Sequence, residues 1–201
     1  MRRRPYGPAA WMVDDVDEPA AWARALEALD IPGVREIVPA ASTVVVQCDR
    51  VHHGHVGDML DSVRPAPSDT ETVDPPLVVE VIYDGSDLAA VADRCGLTIH
   101  EVIDRHVQGD YHVAFCGFSP GFGYLRGVDD RLHLPRRDTP RTSVPAGAVG
   151  LAAGFTCIYP EESPGGWHLI GRTDQAMWDL DRDPPAELRP GRRVRFRRID
   201  S

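Results

Sequence analysis

The stretch that most limits what this chain can fold into runs from Phe115 to Thr173: FCGFSPGFGYLRGVDDRLHLPRRDTPRTSVPAGAVGLAAGFTCIYPEESPGGWHLIGRT. Glycine and proline return every few residues, and no helical periodicity survives between them. Glycine raises the entropic cost of ordering and proline removes a backbone donor, so such a stretch would ordinarily be a linker. Its apolar content argues otherwise. Phe115, Phe118, Phe122, Tyr124, Leu151, Phe155, Tyr159, Trp167 and Ile170, among others, can bury enough surface to offset that cost. Short strands joined by rigid loops are expected, and rigid loops are where binding groups are usually mounted.

Composition narrows the setting. A chain of 201 residues can hold one large domain or two small ones. With 42% hydrophobic and 26% charged residues it reads as an ordinary soluble protein. The formal charge of −9 disfavours a nucleic-acid binder. No apolar run is long enough for a membrane helix, and the Met-Arg-Arg-Arg start has no apolar segment behind it, so a cytoplasmic protein is expected. All 22 Lys+Arg residues are arginine. A phosphate-loop lysine, a biotinyl-lysine and a Schiff-base lysine are therefore excluded from this polypeptide, and chemistry that needs one must draw it from another chain. Cys48, Cys95, Cys116 and Cys157 have no Cys-x-x-Cys spacing and read as free thiols in a reducing compartment.

Taken in order, the chain predicts a strand at Ala9–Val13, then a helix capped by Asp17, with Pro19 in its first turn and Trp22, Ala25, Leu26 and Leu29 on one face. Pro32-Gly33 stops it. Strands follow at Val34–Pro39 and Ser42–Cys48, then a helix with Val56, Met59, Leu60 and Val63 inward. His52, His53 and His55 do not converge well enough for a metal site and read as a polar loop before that helix. The run from Arg64 to Pro76 has linker composition, which gives a small α+β domain over 1–70 and a second domain over 77–201.

The second domain should open with a strand at Leu77–Tyr83 and a helix capped by Ser86 with Leu88, Val91, Ala92 and Cys95 inward, ended by Gly96. Thr98 and Glu101 make a capping box, with Leu97 and Val102 as a hydrophobic staple. Ile99, Val102, Ile103 and His106 then share one face, and Gly109 closes the helix. His106 therefore points inward, as a core histidine bonded to a backbone carbonyl or as a site residue. Tyr111–Cys116 is a strand that leads into the central stretch. Near the C-terminus Val194 and Phe196 alternate with Arg193, Arg195 and Arg197, as in an edge-type strand with one solvated face.

Three loops carry the binding candidates. Gly117-Phe-Ser-Pro-Gly-Phe-Gly-Tyr124 permits close backbone approach or forms a buried aromatic corner. Arg136, Arg137 and Arg141 sit on a segment stiffened by Pro135, Pro140 and Pro145, which lowers the cost of presenting guanidinium groups to a carboxylate or phosphate. Tyr159-Pro-Glu-Glu-Ser-Pro-Gly-Gly-Trp167 is the third loop, with Ser163 and the Trp167 indole as its polar groups. Ser163 lacks the context of a nucleophile elbow. Arg172 adds one further cation.

In the motifs GFSPGFGYL, LPRRDTPRTSVPAG, IYPEESPGGW and LIGRT, in this order, the chain closely resembles the family that unites KipI, the 5-oxoprolinase B subunit and allophanate hydrolase subunit 1. The likeness extends less sharply over YDGSDLAAVADRCGLTIHEVIDRH and RPGRRVRF, from about Leu77 to Ile199. It implies an α+β fold class in which a small α+β domain precedes a cyclophilin-like β-barrel of carboxyltransferase type. It also implies a partner, a second cyclophilin-like subunit resembling KipA, the 5-oxoprolinase C subunit or allophanate hydrolase subunit 2. No cofactor or metal is expected on this chain alone, and ATP would be handled by the complex.

The leading expectation is a subunit of an ATP-dependent 5-oxoprolinase, which opens 5-oxoproline to glutamate. Its substrate site would draw on Phe118, Pro120 and Gly121, on Arg136, Arg141, Pro145 and Gly147, and on Tyr159, Pro164, Gly165, Gly166, Trp167 and Arg172. His106 is the acid–base candidate, and Arg141 or Arg172 would hold the substrate carboxylate. Alternatives are an allophanate hydrolase or urea carboxylase-type carboxyltransferase subunit, and a KipI-like inhibitor of a sensor histidine kinase. Prolyl isomerase activity by analogy of fold is the weakest reading. The chain departs from the family where Phe155 stands for a glutamine and Cys157 for a glycine. The usual Gly-Asp-Ser-Ala opening is replaced by Gly7-Pro-Ala-Ala.

Overall fold

The computed structural model describes residues 1–64 and 75–200, and the chain divides into two compact units, Met1–Val73 and Asp74–Ser201. The expected linker falls almost wholly on residues 65–74, outside the described residues.

In the first unit, strands β1 (Arg2–Pro5), β2 (Ala10–Asp14), β3 (Val34–Pro39) and β4 (Val44–Cys48) form one antiparallel sheet in the order β1-β2-β4-β3. Helices α1 (Pro19–Glu27) and α2 (His53–Leu60) join it around a core that includes Val13, Trp22, Leu26, Val44, Val46, Val56 and Leu60. The β-branched run of β4 lies in the middle of the sheet and buries Val44 and Val46 completely. The arginine-rich β1 was not expected as a strand. Its charges are met by acids of the same unit, Arg4 by Asp14 and Arg3 by Asp61, each at 2.9 Å.

Three expectations for this unit are corrected. Asp17 does not cap α1; Glu18 occupies the cap position, its side chain making no capping bond, and Pro19 opens the helix. Leu29 lies beyond the helix end and is exposed. His53 and His55 belong to α2 itself, and the His53 ring stacks on Trp11 at 4.6 Å, with Nε2 bonded to the Ala10 carbonyl.

The second unit is a nearly closed barrel. Strands β5 (Leu77–Val81), β6 (Tyr111–Cys116), β7 (Gly123–Arg126), β9 (Ala148–Ala152), β10 (Phe155–Ile158), β12 (His168–Arg172) and β13 (Arg193–Arg198) run in the order β12-β9-β10-β7-β6-β13-β5. The two ends meet where Ile82 and Arg172 exchange backbone hydrogen bonds of 2.9 Å. The seam continues as the amides of Gly85 and Asp87 donate to the carbonyls of Ile170 and Leu169. Gly85 permits this: a Cβ there would collide with the Leu169–Gly171 backbone. Two short strands, β8 (Arg141–Val144) and β11 (Ser163–Gly165), form a separate ribbon.

Helices α3 (Leu88–Cys95) and α4 (Ile99–Gln108) pack onto the barrel core through Leu88, Val91, Val102 and Ile103. The capping box is present: Thr98 N donates to Glu101 at 2.8 Å, and Glu101 N donates to the Thr98 hydroxyl at 3.2 Å. Ile99 is half exposed and not on the inward face. Asp87, rather than Ser86, is the N-cap of α3, and its carboxylate makes no capping bond because other donors claim it. The arginine-rich β13 is not an edge strand either. It lies between β6 and β5, antiparallel to one and parallel to the other. Its alternation survives because the barrel has a buried inner face and a wet outer one, so Val194 and Phe196 are buried while Arg195 is exposed.

Candidate functional site

The ribbon of β8 and β11 sets Gly165 opposite Arg141 and brings the arginine loop against the Pro-Gly-Gly-Trp loop. The Arg137 amide donates to the Gly166 carbonyl at 2.8 Å, which fixes the two loops together. A side chain at Gly165 would strike the phenol of Tyr159. Tyr159 is 1% exposed, and burial pushes its hydroxyl far above the usual range. Phe122 joins the first loop to this assembly through ring contacts with Tyr159 at 5.3 Å and Trp167 at 6.2 Å. Tyr124 meets Trp167 at 5.7 Å, and the Arg136 guanidinium lies 5.9 Å from the Trp167 ring centre.

Phe118 projects from the first loop, 62% exposed, with φ +78, a left-handed conformation that a bulky residue adopts only under constraint. Its ring touches Phe122 edge-on at 5.3 Å. Pro120 and Gly121 are in the same loop, and Pro164 is exposed in the middle of β11. Gly147 donates to the Tyr159 carbonyl and accepts from Thr173, so it and Pro145 serve the turn into β9. The structure thus gathers Phe118, Arg136, Arg141, Tyr159, Gly165, Gly166 and Trp167 into one region.

Arg141 and Arg137 are both tied to Asp87, which is 4% exposed. Arg137 Nη1 and Arg141 Nη2 donate to the same oxygen, Oδ1, at 2.7 and 2.8 Å. The other oxygen accepts from the Leu169 amide at 2.8 Å. Burial pushes the Asp87 carboxyl up, but the bonds from Arg141 and Leu169 and the charges of both arginines outweigh it and hold it below its ordinary value. Asp87 was missed in the sequence, where it reads only as part of a helix start; its arginine partners lie some fifty residues away.

Arg172 stands apart from this group. Its Nε donates to Asp84 at 2.9 Å, and it lines a groove of ≈ 450 Å³ with Val78, Glu80, Asp174 and Arg197. His106 is also elsewhere, and the acid–base expectation is corrected. The residue is fully buried, reaching from α4 to residues of β6, β10 and β13. Thr156 donates its hydroxyl proton to the Gly150 carbonyl at 3.0 Å, so it accepts from His106 Nε2–H at 3.0 Å. Nδ1 is then the acceptor for the Tyr83 hydroxyl at 2.7 Å. Both ring nitrogens are used, and burial lowers the imidazole pKa to about 3, so the ring is neutral and internal.

Phe155 packs against Phe115 at 5.6 Å and under the Arg126 guanidinium, while Cys157 is fully buried with its thiol pushed well up by burial. The two departures from the family are therefore packing residues in this barrel. Among the described residues no group of three or more His, Cys, Asp or Glu side chains could hold a metal ion, and no helix is long and apolar enough to cross a membrane.

Residues 4–188 match the family described as carboxyltransferase domain, subdomain C and D. The chain belongs to this family. It is 39% identical over 181 residues to the 5-oxoprolinase B subunit of Escherichia coli O157:H7, covering 87% of this chain and 83% of that protein. It is 47% identical over 115 residues to the 5-oxoprolinase B subunit of Bacillus subtilis, covering 57% of this chain but only 48% of that one. Among solved structures, TTHA0988 superimposes with a TM-score of 0.81 at 35% identity, and this chain spans 40% of it. The conserved protein PH0987 of Pyrococcus horikoshii matches along 98% of its length with a TM-score of 0.62 at 34% identity. Urea carboxylase of Kluyveromyces lactis, at 18% identity and a TM-score of 0.73, shares the fold.

Proposed function

We propose that this chain is the B subunit of an ATP-dependent 5-oxoprolinase, opening 5-oxoproline to glutamate in the cytoplasm together with a second cyclophilin-like subunit. The observation that carries this reading is the 39% identity to a 5-oxoprolinase B subunit across 83% of that protein's length. The gathering of the family's three motif loops around Tyr159 and Trp167 supports it. Opening an unstrained lactam is unfavourable unless it is coupled to ATP, and a chain without lysine leaves the lysine-dependent part of nucleotide handling to its partner.

In this reading the aromatic loops flank the flat lactam ring, while Arg141 faces its carboxylate. The urea carboxylase likeness is one of fold alone and does not favour the carboxyltransferase alternative. Cells from which this chain is deleted should accumulate 5-oxoproline and fail to use it as a nitrogen source, with growth restored by the intact chain. Unchanged growth and 5-oxoproline levels would contradict the reading.

A further inference from the structure

We infer that Arg137 and Arg141, aimed by Asp87, form a carboxylate-binding pair in which Asp87 is the positioning residue; that the carboxylate is that of 5-oxoproline rests on the functional reading above. Two guanidinium groups within hydrogen-bond reach of one oxygen repel each other unless an anion stands between them. Asp87 is that anion, but it cancels only one of the two charges. One positive charge is left over at a largely covered site.

The carboxylate is also a fixed post. It is buried, its second oxygen is held by the Leu169 amide, and its own amide donates to the Leu169 carbonyl at 2.9 Å. A simple latch between β8 and the start of α3 needs one arginine, and Arg141, which also reaches the Ser86 hydroxyl at 3.1 Å, suffices for it. Arg137 adds a second cation and further donors. Among the described residues, Arg141 Nη1 and Arg137 Nε are covered and find no hydrogen-bond partner. The two side chains still keep 33% and 24% of their surface open, and a planar group with two acceptor oxygens is what neighbouring guanidinium groups match best. The Arg137 amide, bound to Gly166, and the pairing of Arg141 with Gly165 tie this pair's segment to the Pro-Gly-Gly-Trp loop, so the ligand class is a small carboxylate with a compact body laid toward that aromatic side.

The test uses the full chain, with its partner subunits for turnover and by itself for binding. Asp87→Asn keeps the shape and removes the charge; Arg137→Lys, at a partly exposed position, keeps the charge and loses the fork. Each is expected to raise the KM for 5-oxoproline about tenfold while kcat stays within about twofold. Calorimetric titration with 5-oxoproline and with acetate should weaken by a similar factor. If melting temperatures fall while KM and carboxylate affinity keep their wild-type values, the pair is a latch and the inference is overturned. If wild-type chain binds carboxylates, the variants do not, and the complex never opens 5-oxoproline, the pair stands and the functional reading falls.

Discussion

His106 and Thr156 are joined by a hydrogen bond of 3.0 Å from Nε2 to Oγ1 inside the barrel, in a directed chain that begins at the Tyr83 hydroxyl and ends on the Gly150 carbonyl. Every proton in that chain is assigned only if the imidazole is neutral. Burial lowers its pKa to about 3 in the folded state, against about 6.5 when unfolded. Above pH 6.5 both states hold a neutral ring. Below it the unfolded chain takes up a proton that the folded chain refuses, so stability falls by about 1.4 kcal/mol per pH unit until pH 3.

The check compares wild type with His106→Gln by denaturant unfolding at pH 6.5 and pH 5. The wild type should lose about 2 kcal/mol more than the variant over that interval, since the other histidines are common to both. Equal losses would mean that the ring is not buried neutral.

Gly85 lies where the barrel closes, and any Cβ would meet the backbone of Leu169–Gly171. Gly85→Ala is expected to cost on the order of 3 kcal/mol, because the obstacle is main chain and cannot turn aside. A melting temperature equal to wild type would show that the seam does not close there.

Phe118 holds a left-handed backbone while its ring is mostly exposed. Phe118→Gly should be more stable than Phe118→Ala by about 1 kcal/mol, since only glycine adopts that conformation freely. Both should lower turnover of the assembled enzyme if the ring meets substrate. The opposite order of stability would contradict the strain.

Arg172 pairs with Asp84 where both side chains are about half exposed. Arg172→Gln should change stability by less than about 1 kcal/mol and leave the KM for 5-oxoproline unaltered. A tenfold rise in KM would restore Arg172 as a carboxylate ligand.

Local chemistry was the legible part of this chain. The capping box at Thr98 and Glu101 and the left-handed Gly96 were readable because all their partners lie within a few residues. The alternation of β13 was readable too, but its place in the sheet was not: an apolar and a charged face look alike on an edge strand and on a barrel strand with a wet exterior. The aromatic and glycine pattern of the central loops announced an ordered region, and the family likeness named its architecture. His106 was legible as inward, but not as doubly bonded, because Tyr83 and Thr156 come from distant parts of the chain. The Asp87 hub was hidden for the same reason. Its partners Arg137, Arg141 and Leu169 come together only when the seam closes, and no local spacing encodes that.

The decisive measurement is ATP-dependent formation of glutamate from 5-oxoproline, made on the purified chain alone, on its partner subunits alone, and on the mixture. No product is expected from either part, and the mixture should release glutamate steadily with matched ATP hydrolysis. Turnover by the lone chain, or full activity of the partners without it, would contradict the proposed role.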